Sequence, residues 1–354
     1  MQLLRKKPTE TTSTTNSIDN LKEQLEEKMF GLFAQVVEDR ANYYEAHPGE
    51  LPAVESLPTL TKYCANQNAA ISGGASLIPG PLGMLAVLPE IVLIIKNQVE
   101  MVYDIGVAYG YKKQLSPGLL ASVVGYALGA GTLGLLALHG QKVLVKRASL
   151  RVMQKLVKLM AGKVSQRLLK SMVGKWVPLA GAVALAAWSK YSTHAVAKKA
   201  VSIFEKELDF DDDEVGIEAY VDDKPSLETG NSSGTGVNNR IEKTKIESLI
   251  NLMRIDGEIK PEEQEFIGLV IEDSNVSDAE KLELIGKMNQ SDKVQVDYSE
   301  IKKSPDDAVS LIIDLVALSK QDGDFHISEK MFIKQVGKMV GMSQDDLSEV
   351  MLAS

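Results

Sequence analysis

A hundred consecutive residues, Ile105 to Phe204, contain no aspartate or glutamate. They carry 15 lysines and arginines in a chain of 354 residues whose net charge is −9. The remainder therefore holds −24, with 8 basic and 13 acidic residues before the stretch and 16 basic and 35 acidic residues after it. One globular surface needs no such segregation, so the chain reads as two oppositely charged modules. Its length suits two domains, each with its own core. Aromatic residues make up only 5%, which leaves Leu, Val, Ile, Ala and Met to build that core and favours helices.

The expected fold is all-α. A disordered lead-in over 1–17 has basic residues but no apolar core of signal-peptide length. A Gly/Ala-rich basic helical domain is expected over 18–208, an acidic Gly/Ser linker over 209–239 and a small helical bundle over 240–354. The single cysteine, Cys64, excludes an intramolecular disulfide framework and fits a reducing, cytoplasmic compartment.

In the basic module, Leu21, Leu25, Met29, Leu32 and Val36 recur at steps of three and four, which predicts an amphipathic helix from near Ile18 to Tyr44. A later helix carrying Gln98, Met101 and Ile105 should end at Tyr109-Gly110. Leu119 to Leu138 is a run of twenty uncharged residues. As one helix it would be about 30 Å long, the thickness of a bilayer core. It contains Gly125, Gly129, Gly131 and Gly134, so insertion in a membrane and burial in a soluble bundle are both open. The stretch from Trp176 to Trp188, interrupted by Pro178 and Gly181, is too short to span alone.

A basic helix is predicted over about Lys142–Ser171. One face carries Leu150, Met153, Val157, Met160, Val164 and Leu168; the other carries Lys146, Arg147, Arg151, Lys155 and Lys158. Like charges at such spacing destabilise an isolated helix, and no acid interleaves. This ladder calls for an anionic neighbour: lipid headgroups, nucleic acid or the chain's own acidic half. Nucleic acid is disfavoured, because no aromatic residue lies between Lys142 and Lys175 to stack on bases. Cations beside apolar segments favour the cytoplasmic face of a membrane.

The acidic half contains a repeat. RIDGEIKPEEQEFI and KQDGDFHISEKMFI share Asp-Gly, a polar and an apolar residue, then Glu seven after the Asp. The matching residues are Asp256, Gly257, Ile259 and Glu263 in one copy, and Asp322, Gly323, Phe325 and Glu329 in the other. Each predicts a helix–loop–helix in which glycine takes a positive φ and glutamate sits in the next helix's first turn. An EF-hand loop is excluded, because the positions for its first ligands hold Leu252 and Arg254, and Leu318 and Lys320. Two outcomes stand. The motif is either a turn and a helix cap with no ligand, or a pooled cluster of Asp256, Glu263, Asp322 and Glu329 held together by a cation. His326 reads as an exposed loop residue. Six or so capped helices and no strands are expected here, with capping-box spacing at Ser277/Glu280, Ser304/Asp307 and Ser343/Asp346.

Arg240 to Met351 resembles the TerB-like domain of tellurite-resistance and stress-response systems, an all-helical fold with duplicated DG-x5-E motifs. The resemblance implies a divalent cation, calcium or magnesium, at the four matching acids, and work at the membrane with protein partners. Thr59 to Leu208 resembles EcsC-like and YcjF-type domains through SLIPGPLGMLAVLPEIVLIIKNQVEMVYDIGVAYG and the later Pro-x-x-Gly-Ala step before a final Ala-rich helix. That resemblance implies membrane association.

Catalysis finds little support. No G-x-x-x-x-G-K-[ST] occurs, and a nucleotide cofactor is not expected. Cys64 lacks a neighbouring histidine and reads as a buried thiol; His139 and His194 read as packing or interface residues. The function expected is a non-enzymatic, membrane-associated stress-response adaptor on the cytoplasmic side. Its rivals are a pore-forming effector, a metal-dependent phosphoesterase using the acidic cluster, and a soluble scaffold.

Overall fold

The structure, a computed structural model, describes residues 22–71, 87–170, 178–215 and 234–352, apart from 256, 258, 291 and 321–324. Residues 22–30 are helical and continue past a break at Gly31 into α1 (Leu32–Ala46). Leu25, Met29, Leu32 and Val36 are buried, as the spacing predicts; Leu21 lies outside the described residues. α2 (Leu57–Ile71) and α3 (Leu88–Ala108) follow, and α3 has proline in its first turn. Gly110, at φ +88°, then turns the chain at the predicted place.

The apolar run of Leu119–Leu138 is not one helix. α4 (Pro117–Ala127) begins on Ser116, whose hydroxyl accepts from the Leu119 N–H at 3.2 Å. It stops where Gly129, Gly131 and Gly134 take φ of +74°, +78° and +68°, a region open to glycine but costly for other residues. The run ends in β1 (Leu136–His139). Among the described residues no helix is long and apolar enough to cross a membrane.

The basic helix is shorter than predicted. Residues Lys142–Ala148 form a strand, β2, and only Leu150–Lys170 is helical, as α5. Val143 and Val145 alternate inward between Lys142, Leu144 and Lys146. That period of two, with β-branched residues inside, overrides the helical reading. β1 and β2 pair antiparallel, with His139 opposite Lys142 across Gly140-Gln141, and Gly140 takes a φ of +59°. The long helix α6 (Pro178–Phe204) leads into β3 (Glu207–Val215), which pairs parallel with β2. The strands are an exception to the all-α expectation in a chain that is otherwise helical. The acidic segment assigned to linker from residue 209 thus begins as a strand.

The second half is helical, with no strand among its described residues past β3. It runs α7 (Gly234–Met253), α8 (Pro261–Asp273), α9 (Asp278–Met288), the short α10 (Ser299–Lys302), α11 (Pro305–Ser319), α12 (Ile327–Met339) and α13 (Gln344–Leu352). Helix therefore begins before the expected boundary at 240. The repeat is larger than its Asp-Gly motif. α7 and α11 end 66 positions apart, at Met253 and Ser319, and α8 and α12, 13 residues each, begin 66 apart. Ser277 and Ser343, at the same offset, both cap the helix that follows. The unit is a duplicated three-helix element with α10 in the connection. Inner positions match as well: Phe266, Ile267 and Val270 of α8 and Phe332, Ile333 and Val336 of α12 are all buried.

α6 joins the halves. It packs against α2, α3 and α4 on one side and against α11 and α13 on the other.

Candidate functional site

The two faces of α6 differ in chemistry. Towards the N-terminal bundle it buries Ser189, Ser192 and Thr193. The Asn68 amide of α2 donates to Thr193 Oγ1 at 2.9 Å, and the Gln98 amide of α3 donates to Ser192 Oγ at 2.9 Å. Asn97 donates to Asn68 Oδ1 at 2.8 Å. Buried amides and hydroxyls joined in this way fix three helices in one register, with Gln98 Oε1 left without a hydrogen-bond partner among the described residues. Cys64 lies beside the layer, and burial pushes its thiol up to about 12; it is the buried thiol that the sequence suggested.

Towards the C-terminal half α6 presents Lys190, His194 and Lys198 at steps of four. Lys190 Nζ and His194 Nε2 lie 3.7 and 3.1 Å from Glu349 Oε2, and Lys198 Nζ lies 2.9 Å from Asp346 Oδ1. Both acids belong to α13. Burial lowers the His194 pKa, against the opposing pull of Glu349. His194 is therefore an interface residue, as read from the sequence. The role of the two lysines was not foreseen, although their four-residue spacing in an acid-free helix was a visible signal.

The predicted basic ladder divides in two. Lys146 lies on β2, 3.7 Å from Asp211 Oδ2 of β3, and Lys142 lies 3.1 Å from Glu207 Oε1. Lys146 is thus held by the chain's own acids and leaves the surface row. Arg147, Arg151, Lys155 and Lys158 are exposed and make no ion pair among the described side chains; Arg147 lies opposite Glu214 in the β2–β3 register. Arg147 sits at the end of β2, beyond the register shift after Lys146, and the other three lie along α5. Their helix is anchored by buried Val152, Leu156, Val157, Met160 and Val164. A hollow of about 220 Å³ lined by Tyr126, Gly131, Thr132, Leu136, Leu138 and Ile203 lies nearby in the fold and is mostly apolar. Lys199 Nζ stands 4.8 Å from the centre of the Tyr126 ring.

The duplicated motif places its residues as predicted where they are described. Gly257 takes φ +85°. Glu263 and Glu329 occupy matching first-turn positions of α8 and α12. Glu329 Oε2 accepts from the His326 N–H at 2.8 Å, and His326 is exposed. Asp256 and Asp322 lie outside the described residues, so the pooled four-acid cluster does too. Among the described residues no three His, Cys, Asp or Glu are grouped to hold a metal.

This duplicated three-helix unit, its helices repeating at a constant offset of 66 residues, defines a class of small helical domain. The family model described as tellurite resistance protein TerB matches residues 245–352. The C-terminal unit is TerB-like, and the match does not extend to 59–208. No curated protein and no solved structure matches the chain.

Proposed function

We propose that this chain is a non-enzymatic adaptor that rests on the anionic, cytoplasmic face of a membrane and carries a TerB-like unit to protein partners. The observation that supports the reading is the row of Arg147, Arg151, Lys155 and Lys158, exposed and without acidic partners among the described side chains while Lys142 and Lys146 beside it are paired. Each cation near an anionic leaflet is worth about 1 kcal/mol and acts within a Debye length. The contact is peripheral: α5 turns its apolar face to the protein core and its charges outward. The same reading assigns calcium or magnesium to Asp256, Glu263, Asp322 and Glu329.

Vesicle flotation of the full chain tests it. Vesicles containing phosphatidylglycerol should carry the protein upward, and neutral phosphatidylcholine vesicles should not. Binding should vanish in about 1 M salt, where the Debye length is about 3 Å, and in Arg151→Glu/Lys155→Glu. Flotation unchanged by these substitutions would refute the assignment of the face. Calorimetry with calcium tests the ion: heat that persists in Asp256→Asn/Asp322→Asn, or none with the wild type, ends that part of the proposal.

A further inference from the structure

Duplication gives each helix of the TerB-like unit an internal control. α8 and α12 share their buried Phe-Ile-x-x-Val pattern, but their outer faces have diverged. Where α8 carries Gln264, Glu265, Gly268 and Glu272, α12 carries Lys330, Met331, Lys334 and Lys338. Ile327, Met331 and Met339 of α12 are 74%, 67% and 45% exposed and lie at steps of four and eight, on one stripe. Lys330, Lys334 and Lys338 run beside it at steps of four, all exposed and with no acidic partner among the described residues.

The row continues at both ends. Lys320 and Lys330 stand 5.0 and 4.9 Å from the centre of the Phe325 ring. Burial lowers the Lys320 pKa, and the Lys330 charge lowers it further. At the far end, Lys302 of α10 reaches the site of Gly341. An ordinary solvated face is what α8 shows, Leu269 aside. A stripe of Ile and Met beside unopposed cations, in a half of the molecule with 16 basic and 35 acidic residues, is a recognition surface.

We propose that the outer face of α12 docks an acidic amphipathic helix of a partner protein. The partner would lay its apolar residues on Ile327, Met331 and Met339 and set carboxylates against Lys330, Lys334 and Lys338. α12 packs only against α11 and α13 among its main neighbours, so its outer side is open to a third helix. A helix fits better than a bilayer for two reasons. The cations flank the stripe on one side only, whereas an interfacial helix has them on both. A bilayer would also confront this half of the molecule, which has 16 basic and 35 acidic residues, with a plane of like charge. A single helix meets chiefly the lysine row. This surface gives the protein-partner part of the adaptor reading an address, and it is separate from the α5 face.

The test uses the full chain and a labelled 18-residue peptide designed as a helix with Leu at steps of three and four and Glu on one flank. Fluorescence anisotropy should show saturable binding that weakens at least tenfold in Lys334→Glu/Lys338→Glu and in Met331→Ser. Glu265→Lys on α8 should leave it unchanged, and a scrambled peptide of the same composition should not bind. Absent binding, equal binding of the scrambled peptide, or no loss in the α12 variants overturns the proposal. So does flotation on phosphatidylglycerol vesicles that depends on Lys334 and Lys338, which would make the face a lipid contact. Flotation through α5 can fail while the peptide still binds α12, so the two proposals fall separately. All substituted positions are exposed, and circular dichroism checks that the variants fold.

Discussion

Lys198 and Asp346, 148 positions apart, meet at 2.9 Å across the junction of the two halves. The pair joins the basic module to the acidic one at the surface, while Lys190 and His194 face Glu349 deeper in. Because the Lys198 side chain is well exposed, Lys198→Ala should cost only about 0.2–1 kcal/mol. Lys190→Glu, which sets a carboxylate against Glu349 in a buried place, should loosen α13 far more. Hydrogen exchange of Gln344–Leu352 reads the effect. Protection should fall in Lys190→Glu and return in Lys190→Glu/Glu349→Lys; unchanged protection in the single variant means that the ion pairs do not hold the junction.

His194 makes that junction sensitive to acid. Its folded pKa is lowered, first by burial and then by Lys190 and Lys198, with Glu349 and Asp346 opposing. The fold therefore favours the neutral ring. Its contribution is complete above the ordinary histidine value of about 6.5 and is lost as pH falls towards and through the lower folded value. Urea midpoints measured between about pH 7.5 and 5.5 should fall more steeply for the wild type than for His194→Gln. Parallel profiles would exclude His194 as the cause.

Asp104 is a buried carboxylate held by Arg40 at 2.6 Å and by the Tyr44 hydroxyl at 2.9 Å. Burial raises its pKa, and the two partners only partly offset this. Removing the guanidinium leaves that charge uncompensated, so Arg40→Ala should cost about 3–5 kcal/mol. Adding Asp104→Asn should recover a large part. Chemical denaturation of the two variants tests this, and a double variant no more stable than the single would rule out the charge account.

Cys64 should resist alkylation. With its thiol pushed up to about 12 and the side chain buried, almost no thiolate is present or accessible at about pH 8. Iodoacetamide labelling followed by mass spectrometry should be negligible in the native protein and rapid in denaturant. Fast native labelling would mean that the α2–α3 packing opens readily.

The parts legible from sequence were those whose signal is local and chemical. The repeated skeleton announced Glu263 and Glu329 in matching first turns, and Ser277 and Ser343 announced two caps, because a cap needs a particular side chain at a particular place. The constant 66-residue offset ties these signals into one duplicated unit. Residues 142–148 were misread because basic charge at helical steps was weighted above the period of two in Lys-Val-Leu-Val-Lys. The acids from residue 209 looked like linker, since nothing local shows that Asp211 faces Lys146. The length of Leu119–Leu138 and its glycines left insertion and burial both open, and the glycines decide the outcome. Hydropathy measures what a segment would gain in lipid, and the left-handed φ values of Gly129, Gly131, Leu133 and Gly134 remove the continuous helix it would need there. The α6 interface was the hardest to see, because it depends on which side of a helix meets a segment some 150 positions later.

The inner residues of α8 and α12 are nearly interchangeable, and this frees their outer sides. A helix whose core contacts rest on Phe, Ile and Val at fixed steps can exchange Glu265 for Met331, or Glu272 for Lys338, without renegotiating the fold. The duplicated unit is thus a chassis with two exchangeable labels. Transplanting the outer residues of α8 onto α12 should yield a chain that folds as before yet no longer binds the acidic helical peptide.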